Sequence, residues 1–64
     1  MEDYKGAIKD YTMAIELIYE YDNAYFGRGM AKFFLGLFDE ACNDWKKADE
    51  LDYPEAEEII NEFC

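Results

Sequence analysis

The chain has 64 residues, a formal net charge of −10 and a hydrophobic fraction of 52%, values typical of one small folded domain rather than a disordered acidic segment. The acidic charge argues against nucleic acid and anionic membranes as partners, because both attract basic proteins. The sequence contains no histidine, which excludes imidazole-dependent nucleophiles within one chain, so we expect no enzyme, no cofactor and no metal site.

The spacing of the apolar residues predicts an all-α fold of about four helices. In the first predicted helix, Asp3 is a suitable N-cap, because its carboxylate can accept from free backbone N–H groups. We expect this helix to end near residues 19–21. Its apolar residues form one stripe: Tyr4, Ala7, Ile8, Tyr11, Ala14, Ile15 and Ile18.

The second predicted helix runs from Ala24 to Leu35 and follows Asp22 or Asn23, either of which can cap it. Gly36 suits the left-handed residue that commonly ends a helix.

This second helix is apolar nearly all round, and only Arg28 and Lys32 interrupt it. A helix of that kind must be covered on more than one side. Gly27 and Gly29 lower its helix propensity, which indicates that a neighbouring helix approaches closely there.

Two further helices are predicted toward the C-terminus. The third carries a stripe with the same spacing as the first: Phe38, Ala41, Cys42, Trp45, Ala48 and Leu51. Pro54 is expected to open the fourth, where its missing N–H costs nothing. The fourth helix has its own short stripe: Ala56, Ile59, Ile60 and Phe63.

An internal repeat relates the first and third helices. The residues Ala7, Asp10, Tyr11 and Ala14 correspond to Ala41, Asp44, Trp45 and Ala48, each 34 positions later (from 7 to 41). A period of about 34 residues in helix pairs is typical of an α-solenoid. With Tyr25 and Gly29 ahead of this Ala-x3-aromatic run, the chain resembles the tetratricopeptide repeat family.

The resemblance implies a single domain over residues 1–64. Residues 2–21 would be the second helix of a partial repeat, residues 22–53 a complete repeat, and residues 54–64 a terminal capping helix. The family implies a non-catalytic scaffold that binds a peptide or partner protein through an apolar groove. Its groove positions would fall on Asn23, Phe26, Gly27, Met30, Phe33 and Phe34. These residues do not fit the family branch that clamps chaperone-tail carboxylates with Lys, Asn and Arg.

A structural role without a ligand is the alternative to peptide binding. A chain of fewer than two repeats leaves apolar surface uncovered, and two-fold stacking or a helix swap would cover it. We therefore also expect a homo-oligomer, most simply a homodimer. The residues expected at that interface are Tyr4, Ile8, Tyr11 and Ile15.

Acidic residues cluster around the start of the last helix, at Asp49, Glu50, Asp52, Glu55, Glu57 and Glu58. They lack the order of a calcium-binding loop. We interpret them as a solvated acidic face, with weak divalent binding or a basic partner as the alternatives.

The two cysteines allow one intramolecular pairing. An antiparallel fourth helix would bring Cys64 back toward Cys42, and a disulfide would then lock that helix in place. Free thiols are the alternative, and they would suit a cytoplasmic protein, whereas the bond would suit a periplasmic or extracellular one.

Overall fold

The structure is a computed structural model that describes residues 3–64, so the predicted start of the first segment at residue 2 lies outside them. Its four α-helices confirm the all-α fold class. The bounds are α1 Tyr4–Leu17, α2 Asp22–Phe34, α3 Phe38–Glu50 and α4 Ala56–Phe63. Each helix packs against the next one along the chain.

Helix α1 begins as predicted, because the Asp3 carboxylate caps it by accepting from the Gly6 N–H at 2.9 Å. It ends at Leu17, earlier than the predicted 19–21, since the backbone of Ile18 is extended (φ −124°, ψ 99°). The Ile18 N–H still donates to the Ala14 carbonyl and closes the last turn. Ile and Tyr are weaker helix formers than Leu or Glu, which favours a stop at this point.

Helix α2 begins at Asp22, with Tyr21 at the N-cap position. Asp22 therefore lies inside the first turn instead of capping it, and its carboxylate accepts from the neighbouring Asn23 N–H at 2.7 Å. The helix ends at Phe34, and Gly36 has the predicted left-handed backbone (φ 83°). The two bonds from Gly36 and Leu37 back to the last turn of α2 complete a Schellman motif.

Helix α4 begins at Ala56, so the prediction that Pro54 opens it is wrong. Helix α3 ends in a second Schellman motif, with Asp52 as the left-handed residue (φ 67°) and Tyr53 bonding back to the Ala48 carbonyl. Pro54 and Glu55 then form a separate turn that leads into α4. The proline follows the stop of one helix and does not start the next.

The core lies where α2, α3 and α4 meet. Its buried apolar residues are small, apart from the fully buried Trp45: Ala24, Ala31, Ala41, Ala48 and Ala56. Gly29 allows α2 to approach α3 closely, because a Cβ there would lie 2.6 Å from two ring atoms of Trp45. Small residues at such crossings allow tight packing of the helix axes.

Candidate functional site

An open groove of about 360 Å³ lies between α2 and α4. Its floor is apolar and consists of Phe26, Met30, Ile59 and Phe63. Its rim is acidic and consists of Glu55, Glu58 and Glu62. We call this the α2–α4 groove.

Helical spacing brings each part of the α2–α4 groove together. Phe26 and Met30 are four residues apart on α2, and Ile59 and Phe63 are four apart on α4, so each pair shares a helix face. The rim glutamates follow an i, i+3, i+7 spacing from the N-cap of α4. The groove therefore has one apolar wall from each helix and an acidic edge from α4 alone.

Aromatic packing holds the floor of the groove in place. The Phe26 ring stacks on Tyr53 with a centroid distance of 4.5 Å, and Phe63 packs on Phe33 at 4.8 Å. Phe33 in turn contacts the buried Trp45. Desolvation raises the pKa of Tyr53, and the nearby carboxylate of Glu55 raises this pKa further. These contacts hold the Phe26 and Phe63 rings of the floor in place.

The rim of the groove is negatively charged. Glu55, Glu58 and Glu62 are exposed, and within residues 3–64 none of them forms an ion pair. On a chain with a net charge of −10, this edge attracts cationic groups.

An ion network around the buried Asp44 lies on the other side of α2. Arg28 donates two hydrogen bonds to the Asp44 carboxylate, from Nε at 2.9 Å and from Nη2 at 2.8 Å. Lys32 Nζ lies 3.1 Å from the same carboxylate and 3.4 Å from that of Glu40. Asp44 is only 5% exposed, and its hydrogen bond raises the pKa of Arg28. Arg28 also donates to Thr12 Oγ1 at 3.2 Å.

Sequence reasoning missed this network, although it contained a signal. Asp44 lies within the stripe formed by Ala41, Trp45 and Ala48, so its side chain has to face another helix. The two cations of α2 are its natural partners, because a buried carboxylate requires a counter-charge. Arg28 and Lys32 are therefore already paired with a carboxylate of this chain.

The six predicted groove residues lie on several sides of α2. Phe26 and Met30 line the α2–α4 groove, and Phe33 lies beneath it in the aromatic cluster. Gly27 faces the Tyr11 ring on α1. The remaining two, Phe34 and Asn23, are exposed and lie outside the α2–α4 groove. The Phe34 ring stacks on Tyr4 with a centroid distance of 5.1 Å, and Asn23 lies in the first turn of α2.

The four residues expected at a self-association interface are half-buried. Tyr4 and Tyr11 contact Phe34 and Gly27 of α2, and Ile8 and Ile15 follow them by four residues each, on the same face of α1.

The sulfur atoms of Cys42 and Cys64 form a disulfide between α3 and the residue that ends α4. It closes a sequence separation of 22 residues and joins Cα atoms 6.1 Å apart. The bond holds the end of α4 on α3, and therefore holds the Phe63 end of the α2–α4 groove.

Neither a metal-binding cluster nor a membrane-spanning helix is found among residues 3–64. Among residues 3–64, no three His, Cys, Asp or Glu side chains form a group that would hold a metal ion. None of the described helices is long and apolar enough to span a membrane. Comparison of the chain with protein-family models, with curated proteins and with solved structures finds no match.

Proposed function

We propose that the chain is a non-catalytic protein-binding module whose α2–α4 groove receives a peptide segment of a partner protein. The observation that carries this proposal is the preformed groove, which combines an apolar floor with an acidic rim. The internal repeat and the resemblance to tetratricopeptide repeats support it, since both favour a short helical array built for binding.

The chemistry of the groove indicates the chemistry of the peptide. An apolar side chain of the partner would lie between Met30 and Phe63, where Met offers an adaptable surface. Lysine or arginine residues beside that anchor would meet the rim glutamates. A ligand that presents its own carboxylate fits poorly, because Arg28 and Lys32 are both held by Asp44.

Selection from a displayed library of random peptides on the immobilised chain tests this proposal. We expect the selected peptides to share an apolar anchor flanked by basic residues. Glu58→Lys reverses a rim charge and should weaken their binding about tenfold, a typical size for a charge pair in a partly desolvated interface. Glu57→Lys is the matched control, since Glu57 is also exposed on α4 but does not line the groove.

Two results would contradict the proposal. One is a selection that enriches no common sequence. The other is equal weakening of peptide binding by Glu57→Lys and Glu58→Lys, which would show that the effect depends on overall charge and not on the groove. Light scattering across a range of concentrations tests the structural alternative, a self-assembling unit. A constant mass of 7.6 kDa would leave the groove free for a peptide, whereas a doubled mass would favour assembly.

A further inference from the structure

The internal repeat allows the surroundings of α1 and α3 to be compared position by position. On α3, Ala41, Asp44 and Ala48 are buried, Gly29 of α2 lies against Ala41, and the Asp44 carboxylate binds Arg28 of α2. The residues 34 positions earlier on α1 are Ala7, Asp10 and Ala14. Ala7 and Ala14 are only half-buried, and Asp10 is exposed.

Helix α1 has two flanks that differ in what covers them. One flank carries Tyr4 and Tyr11 and is covered by α2. The other consists of Ala7, Asp10, Ala14 and Leu17, which lie on one side of the helix at an i, i+3, i+7, i+10 spacing. We call it the open face of α1. Leu17 on this face is 84% exposed.

We propose that the open face of α1 is a docking site for an amphipathic helix of another protein, which presents an arginine to Asp10. The geometry of the covered repeat supplies the template for that helix. On α2, Arg28 pairs with Asp44 through two hydrogen bonds, and the next residue, Gly29, lies against Ala41 and Trp45. The partner helix therefore carries an arginine followed by a small residue.

A second copy of this chain does not supply such a helix. Its own Arg28 and Lys32 are held by its own Asp44, with each cation within 3.1 Å of that carboxylate. Two chains that each carry a net charge of −10 also repel one another. The charge complementarity thus favours a different protein with a basic helix face.

A synthetic, fluorescently labelled peptide with the sequence of residues 21–37 tests the proposal, because it contains the arginine–glycine pair of α2. We expect saturable binding to the full chain in fluorescence anisotropy. Asp10→Asn should weaken it about tenfold or more, since it removes a charge-assisted pair. Glu16→Gln is the matched control, because it makes the same change in charge at an exposed position of α1 outside the open face.

Charge reversal makes the test specific. The peptide variant R28D should bind the Asp10→Arg chain better than it binds the wild-type chain, and Glu16→Arg should give no such rescue. Circular dichroism melts of each chain variant verify that the fold is kept.

Four outcomes would overturn the proposal. The first is no saturable binding of the peptide, and the second is equal weakening of peptide binding by Asp10→Asn and Glu16→Gln. The third is peptide binding that no change at Asp10 affects. The fourth is a doubled mass of the chain without peptide, which Asp10→Arg abolishes. The third would mean that the peptide replaces α2 in its own position, and the fourth that a second copy covers the open face. Because this face is separate from the α2–α4 groove, the groove variant Glu58→Lys should leave peptide binding here unchanged.

Discussion

Asp44 shows how strongly the surroundings of a residue decide its role. It occupies the same position in the repeat as Asp10, yet Asp44 is buried and binds two cations while Asp10 is exposed. The repeat pattern predicts that both residues lie on equivalent helix faces. It does not predict which face is covered, because coverage depends on a neighbouring helix that only Asp44 has.

Replacing Asp44 tests how much the ion network contributes to the stability of the fold. Asp44→Ala leaves Arg28 and Lys32 partly buried without their carboxylate, and loss of one partner of a buried ion pair costs about 3 kcal/mol. We expect a drop of that size in the free energy of unfolding measured with urea. Asp10→Ala, the equivalent change at an exposed position, should stay within about 0.5 kcal/mol of the wild type. Equal effects of the two changes would contradict the role given to the network.

Gly29 is a second residue whose role depends on its neighbours. Ala is a better helix former than Gly by about 1 kcal/mol, so an open helix position would gain stability from Gly29→Ala. Here the added Cβ would lie 2.6 Å from Trp45 Cδ1 and Nε1, and overpacking of this kind costs about 1–3 kcal/mol. We therefore expect Gly29→Ala to lower the melting temperature.

Gly27→Ala provides the comparison for that change. Its new Cβ would lie 2.5 Å from Cζ of the Tyr11 ring, but Tyr11 is half-buried and can therefore shift more easily than the fully buried Trp45. The loss of stability should be smaller than at Gly29. A rise in melting temperature for Gly29→Ala would show that α2 and α3 do not approach as closely as described.

At the scale of the helices, periodicity predicts which segments are helical better than it predicts where they end. The stripe of α1 continues to Ile18, but the extended backbone of Ile18 ends the helix one residue earlier. Pro54 is compatible with the first turn of a helix, but the left-handed Asp52 ends α3 and leaves Pro54 in the connecting turn. These ends depend on backbone hydrogen bonds that apolar spacing does not report. Gly36 was predictable because glycine adopts that conformation without strain.

The disulfide provides a prediction about α4. This helix has eight residues, too few to be stable alone, so it depends on its packing and on the bond to Cys42. Closing a separation of 22 residues stabilises the fold by about 3 kcal/mol through the unfolded state. We expect Cys64→Ser to lower the midpoint of urea unfolding and to reduce the helical circular dichroism signal.

Reductant serves as the control for that prediction. It should lower the stability of the wild-type chain to that of Cys64→Ser and leave the variant unchanged. Equal stability of the wild type with and without reductant would show that the bond contributes nothing to holding α4.

At the scale of the whole molecule, the sequence identifies only two of the seven residues that line the α2–α4 groove as groove residues. The resemblance to tetratricopeptide repeats implies Phe26 and Met30 as groove residues, on the first helix of a pair. The sequence places Glu55 and Glu58 in a solvated acidic cluster and does not single out Glu62, since apolar spacing alone does not show which glutamates border the groove. Phe34 lies on another side of α2, against Tyr4. The sequence could not predict this, because α2 is apolar nearly all round and spacing cannot assign each apolar residue to one neighbour.

The most direct test of peptide binding through the α2–α4 groove is a two-dimensional amide NMR titration of the full chain with one selected peptide. We predict that the largest shifts fall on both walls of the groove, at Phe26 and Met30 on α2 and at Ile59 and Phe63 on α4. The open face of α1, around Asp10, should remain unchanged. Shifts confined to α1, or none at saturating peptide, would contradict the proposed function.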